Sequence, residues 1–211
     1  MIKDLVIAKD YEGIKSMLAA NAALANDGIP YYEKNPVLAH PLHRICDAVF
    51  AGLLTDDEAV AIASLFLKNG ANVNGNDITE GKDSPLTAAA SLHADKVAML
   101  YIDNGADIHH AGCHGGTALH WAAWCGRSNL VKKLVQQGAV INQLCIDFKS
   151  TPLFWAVHGL KNGGYNEMIS CIESVTILLE AGADKSIPNA GGHKPADLLS
   201  DHDEQLKELL N

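Results

Sequence analysis

Apolar residues recur along this chain at the three- and four-residue spacing of amphipathic helices. Leu130, Val131, Leu134 and Val135, for example, fall on one face of a helix whose end is marked by Gly138. Alanine and leucine are abundant, and only 6% of the residues are aromatic, a composition that favours helix. The pattern therefore favours helix.

Two short motifs repeat along the chain in step with each other. A Gly-Ala dipeptide follows an apolar run each time it occurs, at 70–71, 105–106, 138–139 and 182–183. A second motif alternates with it and reads HPLHRIC at 40–46, SPLTAAA at 84–90, TALHWAA at 117–123, TPLFWAV at 151–157 and KPADLL at 194–199. Repetition of this kind indicates stacked units, none of which can bury its apolar face alone.

The two motifs together resemble the ankyrin repeat, a unit of about 33 residues with the signature T-P-L-H-x-A. Segment 115–142, GGTALHWAAWCGRSNLVKKLVQQGAVIN, is close to that family's pattern along its whole length. The resemblance implies an all-α solenoid whose units are helix, turn, helix and an extended finger, without a sheet. About six units are predicted within one domain over 1–211, at 2–35, 36–76, 77–111, 112–144, 145–188 and, as a polar cap, 189–211.

Side chains at fixed places in the second motif have predicted structural roles. Thr117 and Thr151 are expected to cap first helices, and Pro152 fits the first helical turn, where a missing N–H group is harmless. Within the resemblance, His43 and His120 correspond to the family's histidine, which steadies the turns between neighbouring repeats by hydrogen bonding. Both expectations concern contacts that only the folded chain can test.

Repeats two and five are about ten residues longer than the regular repeats, and the excess lies between their two helices, near 47–57 and 158–170. Thr55 and Glu58 form the sequence of a capping box that opens a longer second helix. Asn166 is placed to cap the second helix of repeat five. These helix-pair extensions are either tolerated insertions or two bulges that flank a partner.

Composition and charge narrow the classes of partner. Lys and Arg total 16 against 25 Asp and Glu, giving a formal charge of −9, whereas nucleic-acid binding favours the opposite balance. The longest apolar run, 59–67, is far shorter than the ~20 residues of a membrane span, and the amino terminus lacks the apolar stretch of a signal peptide. Five scattered cysteines without a C-x-x-C pair indicate a reducing compartment. The sequence thus predicts a cytoplasmic monomer that binds neither nucleic acid nor membrane.

The resemblance implies that a protein partner binds the concave face, formed by finger tips and first helices, around repeats three to five. The residues assigned to this face are Glu80, Asp83, Cys113, His114, Gly116, Trp121, Trp124, Cys125, Asp147, Lys149, Trp155 and His158. Trp121 and Trp155 have an alternative role, which is packing between repeats. Trp124 either contacts the partner, since tryptophan is common at binding hot spots, or has a purely structural role. The fingers carry acidic residues, among them Glu80, Asp83 and Asp147. These residues either attract a basic patch on the partner or simply keep the protein soluble.

The finger at 109–114 supports a different hypothesis, because His109, His110, Cys113 and His114 are residue types that bind zinc. Their spacing matches no established zinc pattern, and alternate residues of an extended segment point to opposite sides. Metal or small-ligand binding is therefore the alternative to protein binding. No P-loop, G-x-G-x-x-G or H-E-x-x-H motif occurs, and no nucleophile has both a histidine and an orienting acid evident. The sequence predicts neither an enzyme nor a cofactor, and a regulatory or inhibitory subunit of a neighbouring enzyme is a third possibility.

Overall fold

The computed structural model describes residues 1–32, 35–76, 79–163 and 168–210 of the chain. Contacts between residues divide the chain into two compact units. The first comprises Met1–Thr79 and Asp83–Asp107, and the second comprises Glu80–Lys82 and Ile108–Asn211. The predicted single domain over 1–211 stays a prediction, and each unit has a helical core of its own.

The first unit is built from helices that pack in pairs, with one small sheet. Its elements are α1 (Ile2–Ala8), α2 (Tyr11–Ala20), a 3₁₀ helix (Ala22–Ala25), β1 (Ile29–Tyr32), β2 (Asn35–Ala39), α3 (Pro41–Phe50), α4 (Asp56–Lys68), α5 (Pro85–Ser91) and α6 (Asp95–Asp103). Helix α3 packs on both α4 and α5, and α6 packs on α4 and α5. This arrangement buries the apolar face of each helix against its neighbours along the chain.

The antiparallel pair β1 and β2 departs from the expectation of fingers without a sheet. Ile29 lies opposite Ala39, and Pro30 lies opposite Leu38. Proline is tolerated here because both strands of a two-stranded sheet are edge strands. The proline nitrogen, which has no hydrogen to donate, can lie on the unpaired side of the strand. The side chain of Arg44 ties the sheet to α3 through a hydrogen bond of 2.9 Å from its Nε to the carbonyl oxygen of Ile29.

The second unit repeats the same helix-pair arrangement. Its elements are a 3₁₀ helix (Cys113–Gly115), α7 (Ala118–Trp124), α8 (Ser128–Gln136), α9 (Pro152–Asn162), α10 (Met168–Glu180), a 3₁₀ helix (Pro195–Leu198) and α11 (Glu204–Leu210). The first helices α7 and α9 lie side by side, as do the second helices α8 and α10. The predicted all-α fold of helix pairs is confirmed.

Helix ends follow the signals that the sequence carries. The Thr55 hydroxyl and the Glu58 carboxylate form the predicted reciprocal capping box at the start of α4. At the start of α9, the hydroxyl oxygen of Thr151 accepts a hydrogen bond of 3.2 Å from the backbone nitrogen of Phe154. Gly138 follows α8 with a φ of +89°, a left-handed conformation that favours glycine and ends the helix.

The extensions of repeats two and five lengthen both helices of each pair. Helices α3 and α9 have 10 and 11 residues, whereas α5 and α7 have seven each. Helices α4 and α10 have 13 each, whereas α6 and α8 have nine. In the extended part of α9, Lys161 forms an ion pair of 2.5 Å with Asp203. Asn166, the predicted cap of α10, lies outside the described residues.

Asparagine side chains link successive repeats within each unit. In each link, a side-chain Oδ1 accepts a hydrogen bond from a backbone nitrogen of the following repeat. Asn26 accepts from the nitrogen of Asn72 at 2.7 Å, Asn74 accepts from the nitrogen of Asp107 at 2.7 Å, and Asn142 accepts from the nitrogen of Asp184 at 2.8 Å. The same chemistry therefore recurs at corresponding places, as expected of a repeating structure.

Replacing Asn142 by alanine is expected to lower the free energy of unfolding by about 1 kcal/mol. The substitution removes the bond to Asp184 and a second bond, of 3.2 Å, from Asn142 Nδ2 to the carbonyl oxygen of Gly182. Denaturant unfolding followed by circular dichroism measures the loss. Asn129→Ala is the matched control, because Asn129 is exposed on α8. Equal stability of the two variants would contradict a linking role for Asn142.

Candidate functional site

A cavity of about 370 Å³ lies in the second unit, beside the first helices α7 and α9. Its lining consists of His114, Trp121, Trp124, Phe148, Ser150, Phe154, Trp155, His158, Asn189 and Leu198. Most of these side chains are aromatic rings, and we call this space the aromatic cavity. Its volume lies near the lower end of the ~300–1,000 Å³ that is typical of ligand pockets.

The three tryptophans of the chain meet in this cavity. The ring centroids of Trp121 and Trp155 are 5.0 Å apart, and the ring planes make an angle of 87°. The centroids of Trp124 and Trp155 are 5.9 Å apart at an angle of 72°. Edge-to-face contacts of this kind are favoured by the charge distribution of aromatic rings. Trp155 is only 5% exposed and forms the base of the cavity, whereas Trp121 and Trp124 are half-buried walls.

His158 extends the aromatic wall along α9. Its ring stacks on Trp124 at a centroid distance of 4.9 Å and an angle of 28°, and it also lies near the ring of Phe154. Burial lowers the pKa of His158 below its ordinary value, so the imidazole is neutral at neutral pH. Its buried Nδ1 has no hydrogen-bond partner among the described residues.

His114 and Phe148 stand at the rim of the cavity, on two neighbouring fingers. The backbone carbonyl oxygen of His114 accepts hydrogen bonds of 3.1 and 3.2 Å from the nitrogens of Ile146 and Asp147. The His114 Nδ1 lies 2.8 Å from a carboxylate oxygen of Asp147, and its ring lies 5.4 Å from that of Phe148. Gly115 has a φ of +66°, and a Cβ there would overlap Ile146. The close approach of the two fingers therefore requires glycine at that position.

His120 holds the second of these fingers in place from beneath the cavity. Its Nδ1 accepts hydrogen bonds from the backbone nitrogen and the hydroxyl of Thr117, at 3.1 and 2.9 Å. Its Nε2–H therefore points to the carbonyl oxygens of Gln143 and Ser150, at 3.1 and 3.2 Å. Burial lowers the pKa of His120 to about 4, which keeps the ring neutral. The predicted hydrogen bonding between repeats is confirmed for this histidine.

The structure brings together most of the predicted contact residues. Those that line the aromatic cavity are His114, Trp121, Trp124, Trp155 and His158. Asp147 adjoins it through His114. Gly116 lies under the indoles, because a Cβ there would be 3.0 Å from Trp155 and 3.4 Å from Trp121. The first helices and the fingers thus supply most of the cavity lining.

Other predicted contact residues lie elsewhere. Cys125 is only 7% exposed, so its burial contradicts a direct contact with a partner. Glu80 and Asp83 are not among the lining residues, and neither is Lys149, which is exposed on the finger beside Phe148. Cys113 is half-buried in the 3₁₀ helix before α7 and also does not line the cavity.

Five lining residues were not among the predicted contact residues, namely Phe148, Ser150, Phe154, Asn189 and Leu198. The repeat spacing carries a signal for Phe154, because aligning TALHWAAW with TPLFWAVH places Phe154 opposite His120 and His158 opposite Trp124. Side chains at equivalent places in adjacent repeats stand next to each other. Leu198 belongs to the motif at 194–199, where it takes the place that Trp155 has in the preceding repeat, whereas Asn189 lies before that motif.

Three apolar side chains are exposed on the finger at 144–148, namely Leu144, Ile146 and Phe148, and we call them the apolar strip. Phe148 also lines the cavity. Exposed apolar side chains that lie together mark interaction sites on folded proteins. The cavity and the strip together form one candidate binding surface.

The finger at 109–114 offers no geometry for the metal alternative. Within the part of the chain that the structure describes, no three His, Cys, Asp or Glu side chains are grouped as a metal ion would need. The Nε2 of His110 lies 2.6 Å from the carbonyl oxygen of Lys82, whereas His114 bonds to Asp147.

Among the residues that the structure describes, no helix combines the length and the apolar character required to cross a membrane.

Helix pairs joined by fingers, with an aromatic cavity beside neighbouring first helices, define a repeat protein of the protein-interaction class. A family model described as ankyrin repeats (three copies) matches residues 55–145 and 112–189, which together span more than half of the chain. The chain belongs to the ankyrin-repeat family.

Curated relatives match a smaller part of the chain. The putative palmitoyltransferase ZDHHC13 of Danio rerio is 34% identical over 93 residues, which cover 44% of this chain and 13% of the relative. The palmitoyltransferases ZDHHC13 and ZDHHC17 of Homo sapiens are each 35% identical over 91 residues, which cover 43% of this chain and 13% of each relative. The chain thus spans only a small part of the length of these relatives. The palmitoyltransferase activity in their names belongs to the full-length proteins.

Proposed function

We propose that the chain is a protein-interaction module that binds a protein partner through the aromatic cavity and the apolar strip at 144–148. The observation that carries this proposal is the convergence of all three tryptophans with Phe148 on one half-open cavity. Tryptophan is enriched at binding hot spots, where it fills pockets that exclude water. The ankyrin repeat supports the same conclusion, because it is a protein-interaction fold.

We further propose that the chain acts by binding rather than by catalysis, as a monomer in the cytoplasm. Burial raises the pKa of the thiols of Cys46 and Cys171, which disfavours the reactive thiolate. Cys125 and Cys145 are also buried. None of the five cysteines, which all lie within the described residues, forms a disulfide, as is usual in a reducing compartment.

The binding test uses a partner isolated with the wild-type chain and then measured against variants. Trp124→Ala is expected to weaken its affinity by about 30-fold, since hot-spot tryptophans typically contribute about 2 kcal/mol or more. Phe50→Ala is the matched control, because Phe50 is an aromatic residue that is 62% exposed on the first unit. Calorimetry measures both affinities, and circular dichroism checks that each variant is folded.

Two results would contradict the proposed site. The first is a partner that binds Trp124→Ala as tightly as wild type. The second is an equal loss in Trp124→Ala and Phe50→Ala, which would show that the weakening is not specific to the cavity. A loss confined to Trp124→Ala supports the proposal.

A further inference from the structure

We propose that the aromatic cavity binds the trimethylammonium group of a trimethylated lysine on the protein partner. This inference rests on the proposed function, because it names the chemical group that the partner inserts. It follows from three properties of the cavity, which are its aromatic walls, its few polar groups and the charge around it.

The walls present ring surfaces from several directions. Trp121 and Trp124 each meet Trp155 at a steep angle, 87° and 72°, so the three indoles form the corner of a box rather than a flat stack. Phe148 and His158 add further rings to the lining. The face of an aromatic ring is electron-rich and attracts cations, and tryptophan does so most strongly. Such a box is complementary to a compact cation.

The lining has few polar groups to offer a cation that needs hydrogen bonds. No carboxylate lines the cavity, and Ser150 and Asn189 are the polar residues there besides the two histidines. The Asn189 Oδ1 already accepts hydrogen bonds of 2.9 Å from the nitrogens of Gly191 and His193, and the Ser150 hydroxyl donates to the carbonyl oxygen of Phe148. Apart from the Nδ1 of His158, which has no hydrogen-bond partner among the described residues, the lining offers little to replace the water that an unmethylated lysine or an arginine would lose from its N–H groups. A trimethylammonium group has no N–H to satisfy.

Charge around the cavity favours a cation over a neutral group of the same shape. The Asp147 carboxylate stands at the rim beside His114 and is exposed, and the whole chain has a formal charge of −9. His158, inside the lining, is kept neutral at neutral pH by burial. The volume of about 370 Å³ accommodates the methylated head together with part of its methylene chain.

The test compares three glycine-flanked peptides that differ only at one side chain. The first carries trimethyl-lysine, the second unmodified lysine, and the third the neutral isostere in which carbon replaces the quaternary nitrogen. Indole fluorescence follows binding, because every tryptophan of the chain lines the cavity. We expect the trimethyl-lysine peptide to bind at least about tenfold more tightly than either of the others, the size of effect that cation–π attraction supplies at a desolvated site.

Two variants at Trp124 separate ring chemistry from apolar surface. Trp124→Leu keeps an apolar wall but removes the ring, so the preference for trimethyl-lysine over the carbon isostere should fall towards onefold. Trp124→Phe keeps a ring and should retain most of that preference. Equal loss in both variants would show that the ring does not select the cation, and would overturn the inference.

The trimethylammonium inference and the proposed function can be disproved independently of each other. Equal binding of trimethyl-lysine and its carbon isostere, or no binding of any peptide, overturns the trimethylammonium inference. If Trp124→Ala still weakens the protein partner, the proposed function stands without it. If the trimethyl-lysine peptide binds but Trp124→Ala leaves the partner unaffected, the partner binds elsewhere and the proposed function is wrong.

Discussion

Replacing His120 by alanine is expected to lower the free energy of unfolding by about 4 kcal/mol, because several buried polar groups lose their partner at once. The carbonyl oxygens of Gln143 and Ser150 and the backbone nitrogen of Thr117 all bond to this ring. Denaturant unfolding followed by circular dichroism measures the loss. His193→Ala is the matched control, since His193 is exposed and should lose little.

The same histidine makes stability depend on pH. In the unfolded chain its pKa is about 6.5, whereas burial lowers the folded pKa to about 4. Between these values the unfolded state binds a proton that the folded state does not, so the free energy of unfolding falls as the pH falls from about 6.5 to 4, by up to about 3 kcal/mol. His40, whose pKa is also lowered to about 4 by burial and then by His43, adds a smaller contribution, because it is only part-buried and solvent screens its charge.

The His120→Ala variant should therefore retain only part of this pH dependence. Above about pH 7 the wild-type curve should be flat with respect to both histidines, since neither state is then protonated. An unfolding free energy that falls equally steeply with acid in wild type and His120→Ala would show that the ring is not held neutral by the fold.

Replacing Gly159 by alanine is expected to lower the free energy of unfolding by about 3 kcal/mol, at the upper end of what overpacking usually causes. Gly159 is buried in α9, and a Cβ there would overlap the backbone carbonyl oxygen of Trp124 and lie 2.9 Å from its Cα. Because these are backbone atoms, no side-chain rotation relieves the overlap. Helices α7 and α9 must then separate, which also displaces one wall of the aromatic cavity.

Gly138→Ala provides the control for Gly159→Ala within the same unit. A Cβ on Gly138 meets no atom within 4 Å, so that variant loses only the backbone freedom of a left-handed glycine, about 1 kcal/mol. Denaturant unfolding compares the two variants, and partner affinity should also fall in Gly159→Ala alone. If Gly159→Ala were as stable as Gly138→Ala, the close approach of α7 to α9 would be refuted.

Local signals in the sequence predicted the helices well because each depends on residues close together in the chain. The capping box of Thr55 and Glu58 and the cap at Thr151 are satisfied within three residues, so their geometry follows from the helix itself. The family resemblance added one contact between residues distant in the chain, because it implied the bonds that His120 makes to the carbonyl oxygens of Gln143 and Ser150.

The aromatic cavity could be predicted only in part, because it depends on contacts between distant residues. The tryptophans stood out as residue types, but Phe148 required knowledge of which side of its finger faces the cavity. Cys125 was assigned to the partner-binding face because it ends the first helix together with Trp124, where the family resemblance implies variable binding residues. One position along a helix turns a side chain by about 100°, and Cys125 is buried. The sheet at β1 and β2 was not predicted because the family resemblance implies extended fingers without a sheet.

The tryptophans also determine what an optical unfolding experiment can observe. All three lie in the second unit, and the first unit contains none. Indole emission therefore reports the unfolding of the second unit and not that of the first. Far-ultraviolet circular dichroism reports the helix content of both units together. Coinciding midpoints from the two signals would mean that the halves lose their structure together, and separated midpoints would mean that cooperativity breaks between them.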